Sequence, residues 1–307
     1  METEFDPQET EHIDLDLDDY LSEIKLAADK FELWFQPVYE IVSGTVLHNE
    51  VLVRWRDNEG RLRSPRELFE VLQNTHLMGQ LDRIVVEKSI EILAQNSKVS
   101  LSINLSAEIL EDSDFLSQLQ KWLEHYRVNP KLLMFELDEA IFIHTSIKSL
   151  ELMKAFKQMG CGVVLDSFTG NHFSLHQWQS LPIDTIKLDR NLIADPQSSE
   201  QKQLAKAIAH ISPIFHKRCI ATGIDNKQIL KFAYDIGVQG VQGFLLGRPD
   251  DKPKTFVSVG VLIVRIITFL ILLYIIKSLA GIDLFPNRHA WEVIADFFQS
   301  LFEGTKQ

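Results

Sequence analysis

His48-Asn49-Glu50-Val51-Leu52-Val53-Arg54-Trp55 decides how this chain is read. It is a strand-like run of β-branched, aromatic and aliphatic residues that carries an acidic side chain at its centre. A strand inside a parallel sheet is apolar on both faces, so a charge there is costly unless it is paired or holds a metal. The same pattern returns along the chain: Asn104 in Leu101-Ser102-Ile103-Asn104-Leu105-Ser106, Glu136 in Phe135-Glu136-Leu137-Asp138-Glu139, Asp166 in Val163-Val164-Leu165-Asp166, and Lys187 in Ile186-Lys187-Leu188-Asp189-Arg190. Five such residues in similar positions on successive strands point to one site able to hold a divalent cation and a phosphate.

The runs on either side give the fold. Candidate strands are 33–40, 45–55, 99–105, 132–138, 162–166, 184–189, 217–222 and 239–244, with helical stretches at 65–77, 81–96, 114–126, 147–158, 199–214 and 226–236. Between Asp82 and Leu93, the residues Ile84, Val85, Ile90 and Leu93 mark the apolar stripe of an amphipathic helix. Alternation of strands and helices implies a mostly parallel sheet. Eight strand candidates fit a closed (β/α)8 TIM-like barrel, whose sites lie at the C-terminal ends of the strands. The link from Ile41 to Thr45 is too short for a crossover helix, so the first strand should be antiparallel to the second.

These residues resemble the EAL domain, a bacterial family that hydrolyses or senses cyclic di-GMP. The resemblance runs from about Phe31 to Pro249. It is carried in order by Phe35-Gln36-Pro37, Glu50-Val51-Leu52, Ile103-Asn104-Leu105-Ser106, Glu136-Leu137-Asp138-Glu139, Ile186-Lys187-Leu188-Asp189-Arg190 and Gln242-Gly243-Phe244-Leu245-Leu246-Gly247-Arg248-Pro249. A lone Glu-x-Leu carries no weight, but six motifs in sequence do. The resemblance implies a phosphodiester cut by water, with divalent ions generating the nucleophile and neutralising phosphate charge. It implies Glu50, Asn104, Glu136 and Asp166 as ligands of a first ion, a hard Mg²⁺ or Mn²⁺. Lys187 would orient the attacking water, Arg54 would meet a ligand phosphate, Gln36, Leu52 and Gln242 would line the nucleotide, and Glu139 would tie down the loop after Asp166.

The second ion fares differently. The family's paired aspartates, followed by Phe-Gly-Thr-Gly, become Asp166-Ser167-Phe168-Thr169-Gly170-Asn171, and its Ala-Glu-Gly-Val-Glu becomes Ala221-Thr222-Gly223-Ile224-Asp225. Ser167 and Thr222 thus replace two carboxylates. Neutral hydroxyls are poor Mg²⁺ ligands and cannot supply a negative bridge, so the second metal site is expected to be lost. The resemblance and its departure imply a catalytically impaired cyclic di-GMP receptor or regulatory domain, acting on a protein partner the sequence does not identify. Two other readings stay open: an active metal-dependent phosphodiesterase, with Asp189 and Asp225 substituting, and a protein-interaction scaffold that binds no nucleotide.

The remainder of the 307 residues frames the barrel. The first twenty hold nine acidic and no basic side chains, so they supply most of the net charge of −12. Residues 1–30 therefore read as a solvated, disordered arm, 31–250 as the barrel, and 251–307 as a further segment. Within that last segment, 256–276 is apolar apart from Arg265, Ser258, Thr268 and Tyr274, and a helix of that length spans roughly 30 Å. It reads as a transmembrane helix tethering a cytoplasmic barrel to the bacterial inner membrane, with a homodimer through this segment as the assembly that would shelter Arg265. Beyond it, Trp291, Ile294, Phe298, Leu301 and Phe302 form a short amphipathic stripe. Cys161 and Cys219 read as reduced core thiols. His48, His144, His172 and His176 offer no metal or catalytic spacing. There is no phosphate-binding glycine loop and no basic stripe for DNA.

Overall fold

The computed structural model describes residues 31–56, 59–63, 77–194 and 199–256. The acidic arm, most of the helix expected at 65–77, and the apolar run at 256–276, apart from Phe256, lie outside them. Among the described residues no helix is long and apolar enough to cross a membrane.

Eight strands close into a barrel. In chain order they are β1 (Phe31–Glu40), β2 (Val46–Arg56), β4 (Leu101–Asn104), β5 (Leu133–Asp138), β6 (Gly162–Phe168), β7 (Thr185–Leu188), β8 (Arg218–Ala221) and β9 (Gly240–Val241), with a two-residue β3 (Leu62–Arg63) added to the outside of β2. From β2 through β9 the barrel neighbours are parallel, whereas β1 runs antiparallel to both β2 and β9 and so closes the ring. The short β1–β2 link dictates this reversal, as expected. β1 meets β2 over nine aligned pairs but β9 over only Tyr39↔Val241 and Glu40↔Gly240.

Helices cover the outside: α1 (Met78–Gln95), α2 (Phe115–Tyr126), α3 (Ile141–Met159), α4 (Leu175–Ser180), α5 (Arg190–Ala194), α6 (Ser199–Ile214) and α7 (Lys227–Asp235). Each long helix forms because its apolar residues recur every three or four positions. α1 buries Leu81, Val85, Val86, Ile90 and Leu93, and α2 buries Phe115, Leu119, Trp122 and Leu123. α3 stops at Gly160, whose φ of 90° lets Cys161 N–H reach back to the Phe156 carbonyl at 2.9 Å. The main core lies between strands and helices, where Phe135 and Phe156 stack at 4.1 Å and Phe115 meets both edge-on. The two cysteines are buried free thiols in or beside β8 and β6, as the sequence suggests.

Alternation sorts the side chains of each strand. On β2, Asn49, Val51 and Val53 alternate with His48, Glu50 and Leu52; Val51 and Val53 belong to the outer core. The opposite set turns inward, so the register Gln36↔Glu50, Glu50↔Ser102 and Asn104↔Glu136 carries polar side chains around the inner wall. The inner wall is therefore where the costly residues of the sequence converge.

Candidate functional site

Lys187 is the hub. Its side chain is 2% exposed, and Nζ donates to Glu50 Oε2 at 2.7 Å and Glu136 Oε2 at 2.6 Å. Its two partners come from β2 and β5, so the ion pairs cross the barrel interior. Glu50 also accepts from Gln242 Nε2 at 2.7 Å and from Asn104 Nδ2 at 2.9 Å. Gln242 in turn reaches Gln36 Oε1 at 3.4 Å, and Gln36 Nε2 donates to the Gly247 carbonyl at 3.1 Å. The ends of β1, β2, β4, β5, β7 and the segment after β9 are thereby joined in one network.

Gly243 makes that network possible. A Cβ there would lie 2.2 Å from Ile224 N, because the chain after Gln242 packs directly on the segment after β8. Any side chain would push Gln242 off Glu50.

The charges are unevenly matched. Burial raises the proton affinity of Glu50, but the adjacent Lys187 ammonium and the Gln242 and Asn104 donors outweigh it and hold Glu50 ionised. Burial pushes Glu136 up strongly; Lys187 opposes this, while the charges of Glu50 and Asp166 add to it. Burial also raises Asp166, assisted by Glu50. Lys187 would lose its proton through burial alone, yet its three carboxylate neighbours keep it charged. His48, two residues before Glu50 on the same strand, is buried with neither ring nitrogen hydrogen-bonded. Burial and the Lys187 cation push it down to about 3, so it stays neutral.

Three carboxylates thus face one ammonium. Among the described residues no three His, Cys, Asp or Glu side chains are gathered closely enough to hold a metal ion. The donor chemistry still suits one: Glu136 Oε1 is buried without a hydrogen-bond partner, and three carboxylates with one amide are the ligand types of a hard divalent cation.

The loop after Asp166 departs from regular strand. Ser167 has a φ of 53°, in the left-handed region that favours glycine, and the β6–β7 register shifts between Leu165 and Phe168. Glu139 Oε2 accepts from the Thr169 N–H and hydroxyl, both at 2.7 Å, and so anchors this loop. The Thr222 hydroxyl donates to the Leu188 carbonyl at 2.9 Å, so its proton is committed to backbone. Asp189 and Asp225, the substitutes the sequence offers, each have a partner of their own through one oxygen. Asp189 caps Asn191 N–H at 2.7 Å, and Asp225 pairs with Arg190 at 2.6 Å.

At the rim, the Arg54 guanidinium lies over Trp34 at 5.6 Å and donates to its neighbour Val53's carbonyl. Leu52, opposite Trp34 on β1, is half-buried beside it. Trp34 carries no motif, and only the β1–β2 register brings it to Arg54. Asp82 on α1, which no sequence motif marks, is a buried carboxylate accepting from Ser106 N–H at 2.9 Å and its hydroxyl at 2.7 Å, two residues beyond Asn104. Burial raises Asp82 to about 7, against the Ser106 hydrogen bonds. The folded protein therefore binds a proton between the ordinary carboxylate range and pH 7 that the unfolded chain does not. Its stability should fall as pH rises through that window, by about 1.4 kcal/mol per pH unit from this group. Asp82→Asn, which can still accept from Ser106, is expected to flatten that slope in urea denaturation run from pH 4.5 to 8; an unchanged slope would mean Asp82 does not titrate there.

The comparisons agree on one family. Residues 20–249 match the EAL domain. The chain is 26% identical over 230 residues to the cyclic di-GMP phosphodiesterase NbdA of Pseudomonas aeruginosa, covering 73% of this chain and 29% of that protein. It is 25% identical over 218 residues to the probable cyclic di-GMP phosphodiesterase PdeB of Escherichia coli K12, covering 70% of this chain and 42% of that one. It spans less than half of either relative. Among solved structures, the FimX EAL domain from Pseudomonas aeruginosa bound to c-di-GMP superposes with a TM-score of 0.70 at 24% identity, over 78% of this chain and 98% of that one. That likeness supports the fold.

Proposed function

This chain belongs to the EAL domain family, and from that premise we propose that it is a cyclic di-GMP receptor that does not hydrolyse its ligand, tethered to the inner face of a bacterial membrane. The observation that carries the reading is the split at the barrel mouth. Glu50, Asn104, Glu136, Asp166, Lys187 and Gln242 stand on the inner wall, most of them hydrogen-bonded to one another, while the positions of a second cation hold hydroxyls, one of which is spent on backbone.

Glu50, Asn104, Glu136 and Asp166 would hold one Mg²⁺ or Mn²⁺, which when bound neutralises phosphate charge. The remaining residues bind and orient. Arg54 meets a phosphate through a charge-assisted hydrogen bond, its guanidinium braced on Trp34. Gln36 and Gln242 face the nucleotide from β1 and the segment after β9, and Leu52 supplies apolar contact. Lys187 shares its ammonium between Glu50 and Glu136 and keeps their charge balanced. Without two flanking carboxylates there is no anionic bridge to fix a second ion beside the first, so the ligand is held and not cut.

The apolar run at 256–276 is the basis for the tether and for placing the barrel in the cytoplasm. Titration of the purified chain with cyclic di-GMP, with and without Mg²⁺ or Mn²⁺, tests the receptor reading. Arg54→Ala is expected to weaken binding at least tenfold, about 1.4 kcal/mol. Absence of any heat or fluorescence signal at high micromolar ligand would make the chain a scaffold instead.

A further inference from the structure

The C-terminal end of the described chain runs as a strap down the outside of the barrel. Asp250 exchanges backbone hydrogen bonds with Phe35 at 2.8 and 3.1 Å, Lys254 bonds Asn49 through its N–H and carbonyl at 2.8 and 2.9 Å, and Phe256 N–H donates to the Lys98 carbonyl at 3.0 Å. Lys98 lies in the loop that enters β4. The strap therefore begins just after the motif beside the candidate site and ends at the opposite, N-terminal face of the barrel.

That face is basic. Lys98 precedes β4, Arg127 and Lys131 precede β5, and Arg218 opens β8; all four are exposed. None of them is in an ion pair among the described residues. Acidic groups stand on the same face, and most of them have partners; Glu124 at the end of α2 is exposed and accepts from Gln120 at 2.9 Å. Asp184 pairs with Lys157, Asp235 with Lys231, and Glu40 accepts from Ser43 within its own turn. Two large apolar side chains also project from the same end: Val42 at the β1–β2 turn is 79% exposed, and Ile214 at the end of α6 is 70% exposed. In a chain of net charge −12, a cationic face set with protruding aliphatics is a local exception with a specific complement.

We infer that the N-terminal face of the barrel rests on an anionic phospholipid surface, with the mouth of the site turned away from it. The inference rests on the tether proposed above and adds the orientation. The chain leaves this face at Phe256, one residue into the apolar run, so a span there holds the face within reach of headgroups. Anionic headgroups attract Lys and Arg over about a Debye length, and aliphatic tips settle into the interface.

The test uses the full chain in vesicles of phosphatidylcholine alone or with phosphatidylglycerol, carrying headgroup-attached quencher. A fluorophore is placed at Ser97→Cys, on the basic face, or at Asn171→Cys, in the loop after β6 at the site end; Cys161 and Cys219 are buried and stay unlabelled. Quenching is expected at position 97 in phosphatidylglycerol vesicles, weakening with added salt, and not at position 171. Lys98→Glu with Lys131→Glu and Arg218→Glu is expected to weaken the surface contact by roughly fivefold per cation lost, without releasing the chain from the vesicles. Flotation with vesicles but equal quenching at 97 and 171, or quenching unaffected by phosphatidylglycerol, overturns the orientation alone. Failure to float with either vesicle overturns the tether and the orientation together.

Discussion

Replacing Lys187 by methionine is expected to destabilise the barrel by about 3–5 kcal/mol at pH 7. Methionine fills nearly the same volume, so little packing is lost. The ammonium that Glu50 and Glu136 share at 2.7 and 2.6 Å goes, and two carboxylates are left facing each other on a buried wall. One of them must then take up a proton on folding. The sign follows directly: a carboxyl whose folded proton affinity is raised loses stability as pH rises, so the variant should recover between pH 7 and pH 5. Glu136→Gln in the same chain removes the surplus charge and should restore part of the loss. Urea denaturation followed by the fluorescence of buried Trp122 and Trp178 reads both effects. A loss below about 1 kcal/mol, with no pH dependence, would show that Lys187 does not hold the two carboxylates together in solution.

Hydrolysis of cyclic di-GMP is expected to run at least about a thousandfold below that of an EAL domain bearing both missing carboxylates, or ~4 kcal/mol in barrier height. The two positions are not equally ready to be restored. Ser167 already sits at a φ of 53°, which aspartate tolerates better than most residues, so Ser167→Asp needs no new backbone. Thr222→Glu must first give up the hydroxyl bond to Leu188, which leaves that carbonyl with one donor fewer. Turnover should therefore return only in the double variant. Chromatographic assay for the linear product with Mg²⁺ or Mn²⁺ measures it, and robust cleavage by the unaltered chain would refute the receptor reading.

The eight barrel strands were legible because a parallel strand buried on both faces is an apolar run wherever it occurs, and turn residues bound it here. What escaped was short or non-local. β3 is two residues long, and α4 has only Trp178 buried, so neither shows a period; the Ser174–Gln177 capping box was the available signal for α4. The Glu136 partner of Lys187 was not legible for a topological reason: on the inner wall of a closed barrel a long side chain reaches past its neighbouring strand, so Lys187 on β7 meets Glu136 on β5 as well as Glu50 on β2. Asp82 was invisible because a single acid on an amphipathic helix reads as solvated until the β4 loop is seen to fold over it.

The ring of strands has a clasp. Nine aligned pairs join β1 to β2, but two pairs and the Phe35–Asp250 bridge hold β1 on its other side, so the barrel is a hoop fastened along one thin seam. Gln36 and Gln242 stand on opposite lips of that seam, and the strap continues from it to Phe256. A nucleotide gripped by both glutamines would act as a second fastener, tightening the hoop where it is weakest.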